Sequence, residues 1–282
     1  MDIVFCTSPF QVLVAQELAK ITGEKFFGIY LKMSNDNRQK IYAKKMKEFC
    51  VDTLFIDNKE WASKLREKLE NTKIDKFYLA SLDNPVAHMI FNPNFMRLYT
   101  FDDGSTSIIT PNMYTRYTDR VVGPNEITLE KVINLSQGHY TIFDNNTIFS
   151  TEKLIKIPFD TKPNNFARAT NGKRVKVFIG QALGNYIDEK DIKITEKLTQ
   201  KALEKLEEVL YYTHPRVSVN VKNVETVRVD KCFEEEIYNL LSNYENVEVY
   251  GFYSTSLLLV KDIPGVSVHC FRTFLTTNEA EI

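Results

Sequence analysis

Asp102 and Asp103 stand side by side, followed by Gly104 and Ser105, directly after the apolar run LYTF at 98–101. A carboxylate at the end of a buried strand can serve as a general base. Adjacent residues of an extended chain point to opposite sides, so one of the pair is expected to face outward while the other fixes the loop. A plain Asp-Gly turn would also explain the motif, since Asx side chains bond their own backbone. A metal pair is not supported, because neither DxD spacing nor an attendant His is present. His214, Pro215 and Arg216 follow the run VLYYT. A histidine before proline favours extended backbone, and an imidazole there could donate a hydrogen bond or proton to a leaving phosphate, with Arg216 adding charge. Ser254, Thr255 and Ser256 open the apolar stretch LLLV just after Gly251, Phe252 and Tyr253. Hydroxyls at a helix start either cap it or hold a phosphate against free amides. Gly180 and Gln181 come after VKVFI, and Thr7-Ser8-Pro9-Phe10-Gln11 after DIVFC. Ser8 with Pro9 reads as a helix cap and first helical residue, and Gln11 is within reach of a sugar hydroxyl.

Each of these clusters follows a short apolar run that reads as a strand, and the runs alternate with helical patterns. DIVFC, FFGIYL, TLFID, KFYLA and LYTF at 98–101 form one series, which LYTF closes; VKVFIG, VLYYT, VEVYG and VSVHC form another. Between them lie helices at 9–21, 37–49, 61–70, 191–207 and 233–242, and from Ser254. Strands alternating with helices indicate mainly parallel sheets covered on both faces. The stretch 157–173, with Pro158, Pro163, paired asparagines and Gly172, interrupts the pattern. It predicts a linker between a first domain at 1–156 and a second at 174–282, that is, two Rossmann-like α/β lobes. Open parallel sheets bind ligands beyond the carboxyl ends of their strands, so the expected site is a cleft between the lobes.

Composition narrows the partners. Lys plus Arg number 36 and Asp plus Glu 37 in 282 residues, so no strong field recruits nucleic acid. Cys6, Cys50, Cys232 and Cys270 are scattered and read as reduced thiols. The glycine fingerprint of dinucleotide enzymes and the P-loop are both absent, which argues against dehydrogenases and NTPases. The N-terminus has no signal-peptide pattern and no apolar run reaches membrane-spanning length, so the chain is expected in the cytoplasm, with at most peripheral contact with the inner face of the membrane.

In these motifs and their order, FDDGS at 101–105, HP at 214–215 and STS at 254–256, the chain resembles the bacterial sialyltransferases of glycosyltransferase family 52, the lipooligosaccharide sialyltransferases. The resemblance implies a GT-B fold, CMP-sialic acid as donor, inversion at the anomeric carbon, no metal or other cofactor, and transfer to a galactose-like hydroxyl of a surface glycan such as lipooligosaccharide or capsule. It casts Asp102 as base and His214 as the group that contacts or protonates the departing phosphate. It places the donor at Gly180, Gln181, His214, Pro215, Gly251, Phe252, Ser254, Thr255 and Ser256. Ser8, Gln11, Asp103, Gly104 and Ser105 then support the acceptor side, and a homodimer is compatible with the sequence. Two other readings stay open: a GT-B enzyme for another nucleotide sugar, such as a glucosyltransferase, and a non-catalytic two-lobed sugar-binding protein.

Overall fold

The computed structural model describes residues 1–57, 61–69, 72–110, 112–181, 183, 189–214 and 219–273. The chain divides into two compact units, Met1–Asp160 and Thr161–Ile282. The first unit holds β1 (Asp2–Cys6), α1 (Pro9–Thr22), β2 (Phe26–Leu31), α2 (Arg38–Lys45), β3 (Cys50–Ile56), α3 (Trp61–Leu69) and β4 (Lys76–Leu79). It continues through α4 (Pro85–Ile90), β5 (Arg97–Phe101), α5 (Met113–Arg116), α6 (Leu129–Leu135), β6 (Ser136–Thr141) and β7 (Leu154–Lys156). Among the described residues its seven strands run in the order β3-β2-β1-β4-β5-β6-β7, and every neighbouring pair is parallel.

A parallel strand covered on both faces can be apolar at every position, and DIVFC of β1 is buried throughout. Ile3 and Phe5 pack with Phe27, Ile29, Phe77 and Leu79 in one core layer. On the opposite face Tyr78 stacks on Tyr99, with ring centroids 5.3 Å apart. The entry to α1 is set locally: Ser8 accepts a hydrogen bond from Gln11 N at 3.2 Å, and Pro9 is the first helical residue. Gly23 ends the helix at φ +65°, its N–H bonded to Ala19 O.

The second unit contains β8 (Arg174–Ile179), α7 (Glu189–Leu203), β9 (Val209–Tyr212), β10 (Glu225–Val227), α8 (Phe233–Asn243), β11 (Asn246–Gly251), α9 (Thr255–Val260) and β12 (Val266–Cys270). Among the described residues its five parallel strands run β10-β9-β8-β11-β12. Alternation along β8 and β9 splits the side chains between two cores. Val177 and Tyr212 join Ile237 and Leu241 of α8, whereas Phe178 and Tyr211 join Ala202 and Leu203 of α7. Two parallel α/β units in series are the composition a GT-B fold requires.

The structure extends the expected strand series. LYTF does not close the first sheet; β6 and β7 follow it. β6 reads SQGHYT, and its inward Ser136, His139 and Thr141 are buried by hydrogen bonding rather than by apolar character, so no hydrophobic run marks it. The strand β10, ETV, is likewise short and largely exposed. Residues of 157–173 lie in both units. Ile157 is buried and Phe159 packs on Phe10 at 5.7 Å in the first; Phe166 meets the edge of Tyr238 at 5.2 Å, and Ala169 N donates to Leu241 O, in the second.

Candidate active site

In both sheets the strand order reverses once, between β1 and β4 in the first unit and between β8 and β11 in the second. At such a point neighbouring connections leave toward opposite faces, and the carboxyl ends of the two strands open a crevice. The polar clusters found in the sequence sit at these two places or one strand away, Asp102 and Asp103 after β5 beside β4 and His214 after β9 beside β8.

In the first unit the crevice is built from Thr7 after β1, Ser81 after β4, Asp103 after β5 and Gln11 of α1. Gln11 Oε1 accepts from Thr7 N at 2.6 Å and from Thr7 Oγ1 at 3.2 Å. Its Nε2 donates to Ser81 Oγ at 2.9 Å and to Asp103 Oδ1 at 2.6 Å. Ser81 Oγ in turn donates to Asp103 Oδ2 at 3.2 Å. Both ends of Gln11 are therefore engaged and the residue is 1% exposed, so it orients the Asp103 carboxylate and does not itself reach outward to a sugar. Ser8 is spent as the helix cap. Asp103 stays half-buried at the start of a short 3-10 turn, Gly104–Ser107. Gly104 takes φ +66° there, a left-handed conformation that costs a residue with a Cβ about 1 kcal/mol. Ser105 is buried in the same turn.

Asp102 points the other way. It is 0% exposed, and its Oδ1 accepts from Ser107 Oγ at 2.6 Å and faces His139 Nε2 at 3.1 Å, while Oδ2 accepts from Ile142 N at 2.7 Å. A carboxylate next to Nε2 assigns that nitrogen as donor, leaving Nδ1 against Thr100 Oγ1 at 2.9 Å. The His139 ring also stacks on Phe149, centroids 4.3 Å apart. The adjacent acids thus divide as extended geometry predicts, one inward and one outward, and Asp102 is the inward one. Ser81, Ser107 and His139 were missed in the sequence. Ser81 could have been found as the polar residue ending KFYLA, but His139 lies inside an unrecognised strand.

In the second unit, Gly180 ends β8 and its N–H donates to Tyr212 O at 2.7 Å. A Cβ at Gly180 would lie 2.7 Å from Tyr211 Oη, 2.8 Å from His214 N and 2.9 Å from Tyr212 O, so the close passage of two strand ends requires glycine. Gln181 Oε1 accepts from Tyr253 N at 2.7 Å, tying the end of β8 to the end of β11. His214 follows β9, the next strand over, and is half-buried. Pro215 and Arg216 lie outside the described residues. Gly251 closes β11, and Phe252 is a core residue, 1% exposed and edge-on to Phe178. Ser254 caps α9 by accepting from Leu257 N at 3.3 Å; Ser256 Oγ donates to Glu234 Oε1 at 2.8 Å. Ser256 is thereby committed to a carboxylate, whereas Ser254, whose Oγ accepts at the cap, has an O–H to donate to an anion. The strand ends thus hold an imidazole, a glycine and a capped helix start on three neighbouring strands. Among the described residues, no three His, Cys, Asp or Glu side chains converge as metal ligands would. No helix among them is long and apolar enough to cross a membrane.

The chain is similar to three bacterial sialyltransferases over nearly its whole length. It is 27% identical to the N-acetyllactosaminide alpha-2,3-sialyltransferase of Haemophilus influenzae, covering 97% of this chain and 92% of that protein. It is 23% identical to the CMP-N-acetylneuraminate:beta-galactoside alpha-2,3-sialyltransferase of Pasteurella multocida, covering 92% and 86%, and 23% identical to the N-acetyllactosaminide alpha-2,3-sialyltransferase of Neisseria meningitidis, covering 96% and 78%. Among solved structures it aligns with Acinetobacter baumannii MurG (10% identical, 96% of this chain and 86% of that one, TM-score 0.39) and with the kitacinnamycin glycosyltransferase (10%, 95% and 86%, TM-score 0.43). The model of glycosyltransferase family 52 matches residues 23–275, which take in β2 to β12 and every motif discussed except the loop between β1 and α1. The chain belongs to glycosyltransferase family 52, and it is a glycosyltransferase.

Proposed function

We propose that this enzyme is an inverting, metal-independent sialyltransferase that moves sialic acid from CMP-sialic acid to a galactose-type hydroxyl of a surface glycan, forming an alpha-2,3 linkage. The donor, acceptor type and linkage are those in the names of its relatives. The observation that carries the chemistry is the outward Asp103 carboxylate, held by Gln11 and Ser81 at a sheet's switch point. We assign the base to Asp103 rather than to Asp102, because a base must reach the proton it removes and Asp102 is sealed beneath three donors.

In the reaction Asp103 takes the proton of the acceptor hydroxyl as its oxygen bonds to the anomeric carbon, and the bond from that carbon to the CMP phosphate breaks. His214 donates to the departing phosphate oxygen, with Ser254 Oγ–H and Thr255 beside it. A monophosphate leaving group develops less charge than a diphosphate, so an imidazole with helix-start donors can meet it. Direct displacement inverts the anomeric centre. The test is CMP release from CMP-sialic acid with N-acetyllactosamine or lactose in the presence of EDTA. Activity restored only by added divalent cation would refute metal independence, and no turnover across a panel of galactosides would refute the acceptor class.

A further inference from the structure

The first unit carries a second feature, remote in the sheet order from the switch point. Between Asp36 and Glu48 the chain reads NRQKIYAKKMK, with five cations and no acid, although the protein as a whole is charge-balanced. Lys40, Lys44 and Lys47 recur at spacings of four and three and are all exposed, so they form one stripe along α2 and the 3-10 turn Met46–Glu48 that extends it. Like charges at these spacings destabilise a helix. None of the three has an ion-pair partner within 4 Å among the described residues, whereas Arg38 is paired with Asp36 at 2.8 Å and Lys45 lies over the Tyr42 ring at 5.7 Å. The stripe forms the wall of a groove of about 410 Å³, lined also by Tyr30 and by Phe55 of the edge strand β3, and among the described residues its one lining acid is Asp57. Nearby acids offset it only in part: Asp52 is paired with Lys68 at 2.5 Å and also acts on Lys47, and Glu48 is the one acid next to the stripe on the 3-10 turn among the described residues. Two aliphatic side chains are exposed beside the lysines. Ile41 is 38% exposed on α2, and Met33, whose N–H bonds Gln39 Oε1 in the first turn of that helix, is 53% exposed.

We propose that α2 and its groove dock the protein on an anionic phospholipid bilayer, lysines on headgroup phosphates and Ile41 and Met33 entering the interface. Cations with interspersed aliphatics on one helix face fit a lipid surface, which supplies negative charge and an apolar layer together. Nucleic acid fits less well, since the exposed apolar groups are aliphatic and Tyr30 is buried, leaving little for bases to stack on. The proposal does not depend on the transferase reading, because it is tested by binding alone.

The test is co-sedimentation of the full chain with vesicles of phosphatidylcholine, with and without about one part in three phosphatidylglycerol. Binding is expected to the anionic vesicles only and to fall as salt rises. Reversing the stripe with Lys40→Glu, Lys44→Glu and Lys47→Glu together should weaken partitioning by at least about 100-fold, since losing each lysine's attraction alone is about fivefold. Ile41→Ser should weaken it severalfold and leave the salt dependence in place. Circular dichroism and turnover of a soluble acceptor should be unchanged in all variants, because the stripe is not part of the site. Equal binding to neutral vesicles, undiminished binding by the triple variant, or displacement from lipid by polyglutamate or RNA at lower concentration than by lipid itself would each overturn the proposal.

Discussion

Asp102 and Asp103 have the same chemistry, and burial is what separates the parts proposed for them. Asp102→Asn places an NH₂ group where the Asp102 carboxylate now accepts from Ser107, His139 or Ile142, and at least one donor is left facing a donor. A buried unmet donor costs about 1–3 kcal/mol, so this variant should unfold at lower urea. Asp103→Asn can keep its oxygen on Gln11 Nε2 and turn its NH₂ to Ser81 Oγ, a hydroxyl that can accept, so it should change stability by under about 1 kcal/mol, while kcat falls on the order of 10²–10⁴-fold and CMP binding persists. If the two phenotypes exchange, Asp102 is the base. A second residue gives a pH signature. His88 Nε2 bonds Leu82 O at 2.7 Å, while Nδ1 is buried with no partner among the described residues. Burial pushes its pKa below the ordinary 6.5. The unfolded chain then binds the proton more readily, so stability is present above about pH 6.5 and is lost as pH falls through and below it. Denaturant midpoints at pH 7.5 and 5.5 should drop more for wild type than for His88→Gln, which can keep the bond to Leu82 O without titrating. A drop no smaller in His88→Gln would remove His88 from the account.

At the scale of elements, the strand ends of the second unit are set by one glycine. Gly180→Ala forces a Cβ into Tyr211 Oη and two backbone atoms, and overpacking of this kind costs about 1–3 kcal/mol. Tyr211→Phe removes a buried hydroxyl that has no partner among the described residues, so alone it should be neutral or stabilising. The double variant should recover only part of the loss, because His214 N and Tyr212 O remain at 2.8 and 2.9 Å. Urea unfolding of the four proteins measures this, and full recovery would show that the backbone contacts carry nothing. The elements legible in the sequence were those with apolar runs or cap chemistry. DIVFC, FFGIYL, VKVFIG and VSVHC appear at or within one residue of their expected places, and Ser8 and Ser254 cap the helices they were expected to start. What escaped was held by polar contacts: β6, whose buried Ser136 and His139 hide its strand character, and the Gln11–Ser81–Asp103 cluster, which joins residues up to 92 positions apart. Pairwise hydrogen bonds of that range leave no local pattern. The order of two adjacent acids shows that one turns inward, but only the fold tells which.

For the whole molecule, the two units have separate cores, and the proposed roles are separate as well: acceptor activation in Met1–Asp160, donor phosphate in Thr161–Ile282. A ligand stabilises what it binds by RT ln(1 + [L]/Kd), about 2.7 kcal/mol at a hundredfold excess over Kd, so CMP should act on one unit selectively. Hydrogen exchange with CMP present should slow at the ends of β8, β9 and β11 and across the first turn of α9, and leave the β1 and β4 strand ends nearly unchanged. UDP at the same concentration should give little protection, since the cognate base is part of the affinity. Asp103→Asn should show the wild-type pattern, because its defect lies in proton removal and not in holding the nucleotide. Protection by CMP confined to the Thr7, Ser81 and Asp103 loops would place the nucleotide on the first sheet and reverse the assignment of the two units.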